Sequence, residues 1–218
     1  MRAIRIQGPA FAAVALLLAA GAAAAQSPGH DVDQKAACLS CHDLEDARAK
    51  VSHAPVEAGE CSACHNPHVA RFKKLLRDRP GPLCARCHDG LMKAAEGRPQ
   101  HPPFQSGDCA TCHLSHAAES AKLLRAPAGA LCRGCHEVPE AAPAGGSLHA
   151  PSRAECTSCH QPHASAAPHF LLAPARPLCL TCHRGIGEQL EKETVHPPAA
   201  EDGGCLSCHG PHVAPEAA

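Results

Sequence analysis

The sequence has no tryptophan and no tyrosine, and only four phenylalanines in 218 residues. Phe11 falls in the N-terminal segment, which leaves Phe72, Phe104 and Phe170 for the rest of the chain. A chain so poor in aromatics cannot bury the usual apolar area, so it must be stapled or filled by something other than its own side chains. It also lacks an apolar run long enough to cross a bilayer. In "MRAIRIQGPAFAAVALLLAAGAAAAQS" the run from about Ala10 to Ala20 is short, Arg2 and Arg5 precede it, and small residues follow as far as Ala25. That pattern reads as a secretory signal peptide over 1–25, with the exported chain beginning at Gln26. No cysteine occurs before Cys38, so the segment offers no lipid attachment site. The charge is nearly balanced, at 20 Lys and Arg against 21 Asp and Glu, and no basic patch suggests nucleic acid. Methionine is confined to Met1 and Met92, and the alternation expected of half-buried strands is missing.

What the chain does have is 16 cysteines and 18 histidines. Every cysteine falls in a C-x-x-C-H string and none is left over. The eight strings are Cys38, Cys41 and His42; Cys61, Cys64 and His65; Cys84, Cys87 and His88; Cys109, Cys112 and His113; Cys132, Cys135 and His136; Cys156, Cys159 and His160; Cys179, Cys182 and His183; and Cys205, Cys208 and His209. In an exported protein this string is the attachment site of c-type haem. Two thiols add to the two vinyl groups of one porphyrin, and the histidine directly after the second is held beneath the iron as its proximal ligand. Disulfides alone have no reason to place His after every second Cys. Zinc sites of four thiolates do not require that His either, and a thioredoxin-like motif would be single and set in a βαβ pattern. Eight covalently attached haems are therefore expected.

The strings recur. Their first cysteines lie at 38, 84, 132 and 179 and, alternating with these, at 61, 109, 156 and 205, a period of 46 to 49 residues. Four dihaem modules follow, over 26–80, 81–128, 129–175 and 176–218. In each, a histidine with Pro one or two residues after it precedes the second string: His53, His101, His149 and His196. Another lies three residues past the second proximal histidine: His68, His116, His163 and His212. Eight proximal and eight further histidines make two axial ligands for each of eight irons, so the expectation is bis-histidine coordination throughout, with methionine excluded. The plus-three histidines sit on the wrong side to cap their own iron and are expected to reach neighbouring haems. His30 and His169 do not repeat and are assigned no role. The linkers "KKLLRDRPGPLC", "AKLLRAPAGALC" and "FLLAPARPLC" recur too, and their Leu pairs 75/76, 123/124 and 171/172 are expected to help line the porphyrins. With 21 Pro and 17 Gly, the fold is expected to be mostly irregular with short α-helices and little or no β, an elongated chain of haems, with a longer helix over 184–194.

With "H-x-P … C-x-x-C-H-x-P-H" recurring over the whole exported chain, the sequence resembles the multihaem c-type cytochromes with doubled C-x-x-C-H motifs. Its size and leader resemble the periplasm-facing subunit of porin–cytochrome conduits. The resemblance implies an electron-transfer protein in the periplasm, possible association with the outer membrane, and partners among other cytochromes, quinol-linked donors or a β-barrel porin. Two rival functions have stated requirements. A multihaem reductase needs an iron with an open position, and a subunit of an extracellular filament needs haems that approach across subunit contacts.

Overall fold

A computed structural model describes residues 33–44 and 49–215. The expected signal segment 1–25 and His30 lie outside the described residues. The described chain is built of short helical turns with two small antiparallel sheets. Strand β1 (Val51–Ser52) pairs with β2 (Ala117–Ala118), and β3 (Ser147–Leu148) pairs with β4 (Val213–Ala214). No described helix is long and apolar enough to cross a membrane. The helix expected over 184–194 stops early, spanning Arg184–Gln189. Gly185 and Gly187 lie inside it, and each glycine weakens a helix interior.

Within each module the turn bearing the first C-x-x-C-H packs on the turn bearing the second. Gln34–Leu39 meets Cys61–Cys64, Pro80–Ala85 meets Cys109–Thr111, Ala128–Arg133 meets Cys156–Ser158, and Ala175–Leu180 meets Gly204–Ser207. The approach is close in the second module, where a Cβ added to Gly81 would stand 3.0 Å from the Gly107 Cα. Gly107 also has φ +76°, so the turn needs glycine there on two counts.

Between modules the contact is a backbone seam that recurs three times. The His53 N–H donates to the His116 carbonyl, His101 to His163 and His149 to His212, at 2.8, 2.9 and 2.9 Å. The strand pairs β1–β2 and β3–β4 flank the first and third seams, and an isolated Gln100–Ala164 bridge flanks the second. The seams hold half of the buried apolar residues. Among the described residues these are Ala117, Ala118 and Ala164, with Leu83, Ala95 and Ala175 elsewhere, and no large side chain is fully buried. Leu75 and Leu172 are exposed at 44% and 50%, so the Leu pairs do not form an interior among protein atoms. Alanines alone bury too little apolar surface to offset the conformational entropy of ordering such a chain.

Candidate haem-binding site

All eight C-x-x-C-H strings adopt one geometry. The N–H of each histidine donates to the carbonyl of the first cysteine, four residues back, at 2.9–3.0 Å. One helical turn therefore places the first Cys and the His on the same face, as the i, i+4 relation requires. No disulfide joins any two of the sixteen cysteines. Burial raises the Cys84 thiol to about 11, helped by its neighbours Cys109 and Cys64. Burial likewise raises Cys61, next to Cys38, and Cys132, next to Cys156 and Cys112. Cys112, beside Cys135, and Cys179, beside Cys205 and Cys159, move the same way for the same reason. The neutral thiol is favoured, which slows disulfide exchange because the thiolate is the attacking species. Among the described residues no group of three or more His, Cys, Asp or Glu is placed to hold a metal ion, so the four-thiolate arrangement weighed from sequence is not assembled.

The histidines come together across the seams. His53 faces His88, His65 faces His116, His101 faces His136, His113 faces His163, His149 faces His183 and His160 faces His212. Ring centroids are 6.0–6.2 Å apart in all six pairs, with interplanar angles of 13–40°. A metal–imidazole bond is about 2.0–2.1 Å and the ring centre lies about 1.1 Å behind the ligating nitrogen, so two imidazoles on opposite sides of one metal stand about 6.2 Å apart. Each pair joins one proximal histidine to one histidine from the second set. Six donor pairs at that separation fit a bis-histidine haem iron.

Backbone carbonyls fix which nitrogen faces inward. Nδ1 of His65 lies 2.9 Å from the Lys74 carbonyl, that of His113 2.8 Å from Lys122, and that of His160 2.9 Å from His169. Nδ1 of His53 and of His149 lies 3.0 Å from the Ser115 and Pro211 carbonyls. A carbonyl only accepts, so Nδ1 carries the proton and the unprotonated Nε2 is the nitrogen able to bind a metal. The three proximal examples use a costly device. Lys74 and Leu75, Lys122 and Leu123, and His169 and Phe170 all take left-handed φ of 55–60°. Non-glycine residues there cost about 1–3 kcal/mol each. The second residue's carbonyl accepts from the N–H of Asn66, Leu114 and Gln161, at 2.8, 2.7 and 2.6 Å. The recurrent linker is thus a clamp on the proximal histidine. Its register equates Phe170–Leu171, rather than Leu171–Leu172, with Leu75–Leu76 and Leu123–Leu124. His169, which has no role in the sequence pattern, sits in this clamp and contributes its carbonyl.

The His-Pro histidines owe their placement to local sequence. His53, His101, His149 and His196 are each extended, at ψ 117–133°, and each caps a short helical turn with Pro in its first two positions. Proline suits the first turn, and at His101 and His196, which directly precede it, it also pushes the histidine toward extended backbone. Burial, then the facing His136, lowers the pKa of His101. Burial, then His113 and His101, lowers that of His163, and burial, then His160 and His149, that of His212. The structure does not bring every predicted residue to a partner: among the described residues, His42, His68, His196 and His209 face no other ring.

Three segments, 53–93, 101–141 and 149–188, match the family model described as the doubled CXXCH motif, and together they cover more than half of the chain. The chain belongs to the doubled CXXCH motif family. Members of this family are characteristically electron-transfer proteins rather than catalysts, and this chain carries several C-x-x-C-H pairs for covalently bound haem c. Each matched segment starts at a His-Pro histidine and ends just past the next module's first string. Each therefore contains a facing pair of its own: His53 with His88, His101 with His136, and His149 with His183. The family's unit is offset by about half a module from the boundaries drawn by spacing. Comparison with curated proteins returns no match.

Proposed function

We propose that the chain is an octahaem c-type cytochrome that conducts electrons along a single file of bis-histidine haems, exported to the periplasm and working with outer-membrane or periplasmic partners. The observation that carries this reading is the set of six histidine pairs at 6.0–6.2 Å, each joining a C-x-x-C-H histidine to one outside the strings. The sixteen cysteines would tether the porphyrins, and His65, His88, His113, His136, His160 and His183 would be proximal ligands opposite His116, His53, His163, His101, His212 and His149. Haem supplies reversible one-electron chemistry when bound. The chain's own residues fix the tautomer of His53, His65, His113, His149 and His160 through Nδ1, would offer a histidine to each side of the six irons, and hold neighbouring attachment points close together.

The thiols support the order of the file. Cys38 neighbours Cys61, Cys64 neighbours Cys84, and Cys84 neighbours Cys109. Cys112 neighbours Cys132, Cys132 neighbours Cys156, Cys159 neighbours Cys179, and Cys179 neighbours Cys205. Spatial order then follows sequence order from the first string to the eighth. Two histidines facing each other at each of six sites would leave no open position for a substrate there, which favours a carrier over a reductase. The leader over 1–25 supports export, where c-type haem is attached, and a porin or a quinol-linked donor fits a carrier of this kind.

The test is intact mass together with EPR spin quantitation on protein matured in a periplasm. The expected result is eight haem increments, with at least the six haems of the paired histidines low-spin. A chain without haem, or high-spin iron among those six, overturns the reading.

A further inference from the structure

The two ends of the repeat carry complementary halves of the same seam. At each of the three seams within the chain, the earlier module supplies a His-Pro histidine to the later module's first string, and the later module supplies a plus-three histidine to the earlier module's second string. His53 faces His88 and His116 faces His65, and the same pattern holds for His101 with His163 and for His149 with His212. At the N-terminal end, proximal His42 and plus-three His68 remain. At the C-terminal end, His-Pro His196 and proximal His209 remain. Among the described residues none of the four faces another ring.

The family match divides the chain in the same way. Three whole units are matched, over 53–93, 101–141 and 149–188. The string at 38–42 and the stretch from His196 through the string at 205–209 are the second and first halves of a fourth unit, at opposite ends of the chain.

The geometry points to head-to-tail association of copies, in which the C-terminal end of one chain and the N-terminal end of the next form a fourth seam. His196 of one copy would face His42 of the next, and His68 of that next copy would face His209 of the first. This rests on the bis-histidine reading above.

Three features independent of the histidines fit the seam. Val69 stands where Ala117 and Ala164 stand in the internal seams; they are 1% and 7% exposed, and Val69 is 72% exposed. In the β1–β2 register Ser52 pairs with Ala117, so Val195 would pair with Val69 of the next copy, an apolar cross-strand contact. Thr194 and Val195 hold the place of β1 yet form no strand among the described residues, a backbone edge of the kind that accepts a second strand. The flanking charges also match. At the first seam Lys50 Nζ lies 3.6 Å from Glu119 Oε2. The corresponding residues at the ends are Glu193 and Arg71, opposite in charge with the signs exchanged. Such a heterologous contact propagates until it closes into a ring or continues as a filament.

The test uses holoprotein matured in a periplasm, followed by sedimentation velocity and EPR over a wide concentration range. Wild type is expected to assemble with rising concentration, with the high-spin signal falling from two irons per chain in the dilute monomer to none. His68→Ala with His196→Ala should hold two high-spin irons per chain at every concentration. Arg71→Glu alone, which leaves all ligands intact, should shift assembly to at least tenfold higher concentration, and adding Glu193→Arg should restore it. A monomer at all concentrations with eight low-spin irons would overturn head-to-tail ligation while leaving the bis-histidine reading intact. Loss of one low-spin iron from a monomer on His30→Ala would overturn it as well. More than two high-spin irons per chain in the double alanine variant would instead overturn the bis-histidine reading.

Discussion

His65, His113 and His160 are each held by a carbonyl that its neighbours present at a conformational cost, and this separates two histidines that look alike in the sequence. His163 faces His113 at 6.1 Å, whereas His169 offers only its backbone oxygen to His160. His163→Ala should therefore turn one haem high-spin, and His169→Ala should leave every haem low-spin; EPR spin counts on the two variants check this. The lowered pKa values of His101, His163 and His212 set a pH dependence. Their neutral form is favoured in the folded chain, so their contribution to stability is fully present above the ordinary histidine value of about 6.5 and is lost as pH falls through the depressed folded values. Thermal unfolding midpoints should be flat above about pH 6.5 and fall below it. A midpoint that rises on acidification would contradict this. The C-x-x-C-H strings are legible in the sequence because thioether chemistry fixes their spacing, and the further histidines stand out because they recur with the repeat. The clamp is not, because a left-handed Lys-Leu or His-Phe pair has no residue signature: Gly and Asn, which usually mark φ above zero, are absent from it.

At the scale of elements, the seam does the positioning. His53 and His116 are joined by one backbone hydrogen bond, and the two-residue strands beside them bury Ala117 and Ala118 at 1% and 2% exposure. A charge at Ala117 would have to be buried without a partner or would open the seam, at a cost of about 3 kcal/mol. Ala117→Glu should lower stability by about that amount and turn two haems high-spin, those of His65 and His88. Denaturant unfolding and EPR on the same sample test both halves of the expectation. The His-Pro turns are readable in advance, because proline in the first two positions suits a helical start. The pairing of His65 with His116 across 51 residues is not, since hydrophobic periodicity is silent in strands of two residues.

For the whole molecule, the sequence pattern makes the number of C-x-x-C-H strings and the repeat plain, and scarce aromatics foretell a chain without an ordinary core. The phase of the repeat is hidden, because counting from the first cysteine groups the strings that pack together, while the facing histidines link each module to the next. That linkage has a consequence for length. Because the three internal seams are equivalent, one repeat can be removed and the flanking surfaces still meet in the same way. Deleting 101–148 places His149 where His101 stood, and would bring His163 to His65. The shortened protein should mature with six haems and keep its low-spin spectrum, as intact mass and EPR would show; a collapse of haem content would mean that the seams are not interchangeable. If they are, the reach of this cytochrome is set in steps of two haems, and its span can be lengthened or shortened by copying one segment without redesigning any ligand.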